Sequence, residues 1–484
     1  MQNLKQKNKS RVYIVIVYFL ITILLFYRSL NNFFSADDFL ILLNITRDNI
    51  SSVFGHVNFH FMPVPAFLYK LAYLTGGLEP FYFRLLNITV HSAASLVVFL
   101  LAEKIFISYG KIDNKHSAIL AFLCGLLFCI HYIHTETIIY FSCLHELTYS
   151  LFYLCALLFL LKYLETGKRM HFYGIIIFFL LALLSKETAL SFLLVLFFVE
   201  TIVNKKSWQR FFKEYYLVFI AAVSYFLLRL ILISRMSPIQ PDLSAGAVSA
   251  EIVKNIIFSF TAMFFSLDFI SIRNIYKAPN SGFISLLENM FTNFPWLPVV
   301  LLLVILFYYL MLKKKGKIAY FSGGLMILTM LSFMWLTGYE RYLYLPSFGF
   351  CVLFLHYLYG VYNKGKTLKI ISVLIFAVFA LYNIYNLGLK EQNWITGSKI
   401  SREAVNDIIN TTQKLPAGSV VYFRDLPDNY NGSWIFRDGV QYLPELYMNR
   451  IDLKFEKIYD DNVHTEIVNN IYVFKYTEGK LKQD

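Results

Sequence analysis

Charge is scarce in this sequence: Asp, Glu, Lys and Arg supply 15% of 484 residues, where a soluble globular chain carries about 25%. Cysteine is sparse as well. The five cysteines (Cys124, Cys129, Cys143, Cys155 and Cys351) all lie in or beside apolar segments and form no CxxC pair, which excludes a disulfide framework and a paired-thiolate metal site. No internal repeat is visible. A formal charge of +13 would suit a nucleic-acid binder if the cations formed one face. They fall instead in short runs between apolar segments, which excludes that partner and matches cytoplasmic membrane loops. What the chain does have is apolar mass: 57% hydrophobic residues, with 48 Phe and 35 Tyr. It reads as an integral membrane protein.

The first apolar segment, Val12 to Phe26, follows the basic stretch MQNLKQKNKSR and lacks a small-residue cleavage site after it. It reads as a retained anchor with the N-terminus in the cytoplasm. Further spans are expected at Phe81–Phe106, Ala118–Ile130, Ile138–Leu161, Phe172–Leu184, Ala189–Val203, Tyr216–Ile233, Leu297–Leu312, Ile318–Leu336, Phe348–Val361 and Ile370–Leu387. That makes about eleven membrane helices at about 20 residues per crossing. Alternating them from an inside N-terminus makes every short inner loop basic, KKKGK at 313–317 being the clearest. The odd number of crossings sends the C-terminus to the outer side.

The expected organisation is a multi-pass α-helical membrane module, 1–389, followed by a small extracytoplasmic α/β domain, 390–484. The tail shows a helical pattern in SKISREAVNDIINTTQKL and strand-like runs in SVVYFRDL, IDLKFEKIY and NIYVFKY. Two outer loops, 31–80 and 234–295, are too long to be connectors. The apolar patch Ile256–Phe265 in the second reads as re-entrant or surface-lying, because a full crossing there would put KKKGK outside.

Ionisable residues near membrane spans are costly and mark function, and here they gather on the outer side. Asp37 and Asp38 stand in SADDF just after the first span. They suit a general base or a metal ligand, and equally a helix N-terminus with one solvated neighbour. CIHYIHTETIIY presents His131, His134 and Glu136, a spacing unlike the zinc pattern HExxH and as compatible with a structural cluster. Glu146 lies in SCLHELTY and must face protein or water. LLSKETAL places Lys186 and Glu187 in a short outer turn, where lysine can meet a phosphate or neutralise a neighbour. WLTGYERYLYLPSFGF sets Glu340, Arg341 and Tyr342 among aromatics; the arginine can fork onto a phosphate or snorkel beside an aromatic belt.

Taken together, SADDF, HFMPVPAFLYKL, FYFRLLNITVH, CIHYIHTETI, LSKET and ERYLYLPSFGF resemble the type C glycosyltransferases. The likeness is to the membrane half of the transmembrane O-mannosyltransferases that carry tetratricopeptide repeats, and to bacterial relatives without repeats. It covers roughly the first three quarters of the chain. The resemblance implies a polyprenyl-phosphate sugar as donor, an acceptor hydroxyl on a protein, lipid or glycan, and reaction at the outer or lumenal face of the membrane; the short basic N-terminus, the lack of repeats and the compact tail suit a bacterial inner membrane. It implies that Asp37 and Asp38 carry the catalytic carboxylate. Where the family often has Arg-Pro this chain has Met62–Pro63, so the phosphate contact expected there is either missing or supplied by His60, Lys186 or Arg341. Short α/β structure stands where the repeats would follow. No cofactor is required by this reading, with a divalent metal left open. Competing readings are a lipid-linked glycan transporter or flippase, and a glycan polymerase or ligase using a lipid-diphosphate donor.

Overall fold

A computed structural model describes residues 2–47, 61–233, 245–267, 292, 295–313, 316–334, 339–437, 439–458, 470–477 and 479–483. His60 lies outside the described residues. Among the described residues four helices are long and apolar enough to cross a membrane: Pro80–Ser108, Phe141–Thr166, Trp208–Ile231 and Lys366–Thr412. The pair Asn114–Ile130 and Tyr132–Ile139, bent by 46°, makes a fifth candidate. Shorter apolar helices occupy Tyr13–Ser29, Arg169–Leu183, Pro298–Lys313, Lys317–Leu331 and Pro346–Tyr362. The protein is thus mostly helical, with one small sheet region near its C-terminus.

Three expected elements differ in informative ways. The span foreseen at Ile138–Leu161 begins as a regular helix only at Leu144. Before it, 136–143 turns tightly, and the backbone N–H of Ser142 is donated to a side chain rather than to a helical carbonyl. The span at Ala189–Val203 is a rod of mixed winding: a 3-10 turn Glu187–Leu190, a helix Ser191–Phe197 and a π-helical end Phe198–Val203. The last helix, Lys366–Thr412, runs unbroken from the apolar segment into the polar tail. No proline interrupts it, and its Gly397 is used for close approach: a Cβ there would stand 2.0 Å from Ser433 Oγ.

The tail forms a four-stranded sheet in the order β4-β1-β5-β6. β1 (Val420–Arg424) pairs in parallel with β4 (Lys454–Ile458) and β5 (Ile471–Thr477), and β6 (Lys480–Gln483) closes the edge antiparallel to β5. Val421, Phe423, Phe455 and Phe474 fill its core, with the Phe423 and Phe455 rings 5.2 Å apart. Between β1 and β4 a hairpin, β2 (Asn429–Tyr430) and β3 (Ser433–Trp434), reaches back to the membrane module. Its two-residue loop is Asn431-Gly432 at φ 43° and 89°, the left-handed pair that a tight hairpin turn demands and that Asn-Gly supplies most readily.

This hairpin region clamps the first outer loop. Ala36 N–H donates to Ile435 O at 2.7 Å, and Phe39 stacks on Phe436 at 6.2 Å. Ser401 and Ser398 of the long helix bond Phe34 O at 2.7 Å and Phe33 N at 2.6 Å. Beneath, Phe34, Phe83, Phe141 and Tyr69 form an aromatic cluster, with Phe83–Phe141 at 4.7 Å and Tyr69–Phe141 at 4.4 Å. Each buried ring contributes about 1.5–3 kcal/mol, enough to hold a strained segment. That strain sits at Ala36, with φ 45° and ψ −117°, a region a non-glycine residue enters at a cost of about 1–3 kcal/mol.

Candidate active site

Ala36 is followed by the helix Asp37–Thr46, whose first turn carries both acids. The two are treated oppositely. Asp38 is buried and its oxygens are spoken for. Oδ1 accepts from Ser142 N–H at 2.9 Å and from the Ser142 hydroxyl, and Oδ2 accepts from Ser35 N–H at 3.1 Å. Arg84 Nη2 stands 3.5 Å from Oδ2 and also donates to Asn32 O and Phe33 O at 3.3 and 3.0 Å. Burial pushes the Asp38 carboxyl up to about 6, against the pull of Arg84 and of the Ser142 and Ser35 donors.

Asp37 is only half-buried. Its backbone N–H donates to the Tyr140 hydroxyl at 3.0 Å, while among the described residues no hydrogen bond or ion pair engages its carboxylate. At this helix start one acid is tied down and its neighbour left open: Asp38 is engaged within the turn, and the Asp37 carboxylate has no partner among the described residues.

The cations reach the same neighbourhood through one segment, Glu136 to Glu146. Glu146 Oε1 accepts from Lys186 Nζ. Glu136 accepts from Arg341 Nη1 and from Arg341 N–H, each at 3.2 Å, and from Trp434 Nε1 at 3.3 Å. Tyr140 and Ser142, between these acids, are the partners of Asp37 and Asp38. Tyr342 sits between the two cations, its ring centroid 4.7 Å from Lys186 Nζ and 5.6 Å from the Arg341 guanidinium. Burial opposes the charge on Lys186, but Glu146 outweighs it and holds the ammonium above the ordinary lysine range. No ion pair joins either aspartate directly to Lys186 or Arg341; Glu136–Glu146 links them.

The remaining sequence candidates have other partners. Glu187 lies 3.7 Å from Arg229, and Glu340 is bonded to Lys390 of the long helix. His131 and His134 sit with His91 and Tyr344 in a buried cluster. There His134 bonds Phe128 O and Ser347 Oγ, each at 2.8 Å, the packing arrangement rather than an open imidazole. Among the described residues no group of three or more His, Cys, Asp or Glu side chains could hold a metal ion.

Sequence reasoning missed Arg84, Tyr140, Ser142 and Trp434. Arg84 carried a signal, being a lone arginine within FYFRLLNITVH. Tyr140 and Ser142 had none, since a tyrosine and a serine in an apolar stretch look like core and filler. Trp434 belongs to the tail, whose approach to the acidic loop no local pattern announces.

No family model matches the chain. Among curated proteins it is similar to human protein O-mannosyl-transferase TMTC3, 37% identical over 78 residues, which is 16% of this chain and 7% of that protein. It is likewise similar to human protein O-mannosyl-transferase TMTC1, 34% identical over 79 residues, 16% of this chain and 8% of that protein. The match thus spans less than a tenth of either relative's length. The fold is similar over far more of the chain to ArnT from Cupriavidus metallidurans. For the apo crystal structure the TM-score is 0.51 at 13% identity, covering 93% of this chain and 86% of that one. For the structure bound to undecaprenyl phosphate it is 0.50 at 14% identity, covering 92% and 86%. The expected mostly helical, apolar architecture with a small C-terminal sheet region is borne out, and its fold is similar to that of ArnT.

Proposed function

We propose that the chain is a membrane glycosyltransferase that moves a sugar from a polyprenyl-phosphate donor to an acceptor hydroxyl at the outer face of the membrane, with Asp37 as the base. The observation that carries this reading is the unequal treatment of two adjacent acids. Asp38 is consumed by Arg84, Ser35 and Ser142, whereas the Asp37 carboxylate is left open beside a segment that holds two cations.

The chemistry needs little more. A polyprenyl phosphate is a competent leaving group, so the enzyme has to take one proton and stabilise one developing charge. Asp37 removes the proton of the acceptor hydroxyl, the new bond forms between that oxygen and the anomeric carbon, and the carbon–phosphate oxygen bond breaks. Attack opposite the leaving group inverts the anomeric centre. Lys186 and Arg341 are the groups suited to the departing phosphate, Lys186 as a point charge and Arg341 as a planar fork. Their partners Glu146 and Glu136 keep both heads in place before the donor arrives. The ArnT structure of similar fold is bound to undecaprenyl phosphate, a lipid of the class this reading requires.

The test is Asp37→Asn in purified protein reconstituted with a polyprenyl-phosphate sugar. Transfer should fall by a factor of about 100 or more, with membrane insertion and thermal stability retained. Undiminished transfer refutes the role.

A further inference from the structure

We infer that a polar cleft at the seam between the long helix and the Asn431-Gly432 hairpin binds a neutral sugar unit of the acceptor, so that the acceptor is a glycan or a glycan-bearing molecule. This rests on the transferase reading above and specifies its substrate class. The cleft encloses about 290 Å³. One wall is the long helix, whose Asn386, Lys390 and Asn393 recur at helical spacing on one face; another is the Asn431-Gly432 hairpin loop.

The chemistry of the lining selects the ligand. Asn386 spends its Nδ2 on Tyr382 O at 2.8 Å, and Asn393 spends its own on Asn431 O at 3.2 Å. Neither side-chain carbonyl has a hydrogen-bond partner among the described residues, so two amide acceptors remain for hydroxyl donors. Tyr339 and Trp394 add apolar faces with polar edges. The charged wall groups are neutralised in place: Lys390 is bonded to Glu340, and Glu136 to Arg341 and Trp434. A cleft with aromatic faces, spare amide carbonyls and internally balanced charge fits an uncharged polyhydroxylated ring and offers little to a phosphate.

Its location fits an acceptor. The Trp394 ring lies 5.5 Å from the Tyr140 ring, and the Tyr140 hydroxyl takes the Asp37 backbone N–H. The cleft is therefore two side chains away from the proposed base. A sugar adjoining the reactive one would rest there while the terminal hydroxyl reaches Asp37. The hairpin loop makes the C-terminal domain part of the binding surface, fastened to the helix by the Asn393–Asn431 bond.

The experiment is saturation-transfer NMR on the full chain in nanodiscs, with methyl glycosides of mannose, glucose, galactose and N-acetylglucosamine as probes and inorganic phosphate as competitor. At least one glycoside should receive saturation, phosphate should not displace it, and Asn386→Ala should weaken it about fivefold, the value of one hydrogen bond. Asn393→Ala gives a second reading, and undecaprenyl phosphate binding should be unchanged in both. Absence of saturation, indifference to both variants, or displacement by phosphate overturns the inference. Asp37→Asn should keep the glycoside signal, which separates the two claims: binding without any sugar transfer by the wild-type chain sinks the transferase reading alone, and transfer without glycoside binding sinks this one alone.

Discussion

Arg84 Nη2 lies 3.5 Å from Asp38 Oδ2 with both side chains buried, and this pairing separates the roles of two acids that are neighbours in the chain. The ion pair fixes the turn that presents Asp37, while Asp37 itself stays clear of it. Breaking a buried pair by removing one partner costs about 3–5 kcal/mol, because the other charge is left uncompensated. Arg84→Met, which leaves the Asp38 carboxylate buried without its cation, should therefore lower stability by that order and abolish transfer; Asp38→Asn, whose neutral amide resembles the protonated carboxyl that burial favours, should abolish transfer at a smaller cost in stability. Asp37→Asn should abolish transfer with stability kept within about 0.5 kcal/mol. Thermal unfolding in detergent, read beside activity, distinguishes the classes; a destabilised Asp37→Asn protein would contradict the division of roles.

Asp38 also gives a pH signature. Its carboxyl is raised from 3.8 to about 6 on folding, chiefly by burial, so the folded state holds the proton more tightly than the unfolded one. The contribution of this group to stability is present below about pH 4 and is lost as pH rises through about 6. Wild type should thus lose stability relative to Asp38→Asn between those limits, and differ from it by a constant amount above them. Parallel stability curves from pH 4 to 7 would show that Asp38 does not titrate in that window.

Arg341→Ala should weaken donor binding more than acceptor binding, raising the donor KM by about 10-fold or more, the worth of a hydrogen bond to a charged group. Its side chain is held by Glu136 and stacked beside Tyr339, 4.3 Å from guanidinium to ring centroid, so it is placed before substrate binds. Equal effects on both substrates would argue against phosphate contact.

Gly439→Ala tests the clamp on the acidic loop. A Cβ there would stand 2.5 Å from Ala36 O and 2.7 Å from Phe39 Cδ2, and the backbone oxygen cannot swing aside. The substitution should cost about 1–3 kcal/mol and reduce transfer, because the displaced atoms start the helix bearing Asp37. Full activity in Gly439→Ala would show that the C-terminal segment does not set the loop.

Trp434→Phe removes the Nε1 bond to Glu136 while keeping an aromatic ring. A loss of about 1 kcal/mol is expected, with a rise in donor KM smaller than that of Arg341→Ala. Unchanged kinetics and stability would remove the C-terminal segment from the anchoring of Glu136.

Hydropathy was sufficient to foresee a mostly helical, apolar chain with a small sheet region near its C-terminus, because burying apolar side chains is a local preference that recurs along the chain. The strands Val420–Arg424 and Lys454–Ile458 fall inside the runs read from sequence, and Ile471–Thr477 runs one residue past its own, for the same reason. The acids and cations were legible as residue types, since charge beside a membrane span is costly wherever it occurs. Their division of labour was not. Whether Asp37 or Asp38 is free depends on Arg84, 46 positions later in the numbering of the pair's arginine, and on Ser142, 104 positions away, and no local rule selects such partners. The tail's approach to the same loop, through Ile435, Trp434 and Gly439, was equally hidden. Composition and periodicity determine which side chains must leave water; which buried donor meets which buried acceptor is decided only when distant segments pack, since each such bond needs atoms within about 3 Å and a chain that has already closed around them.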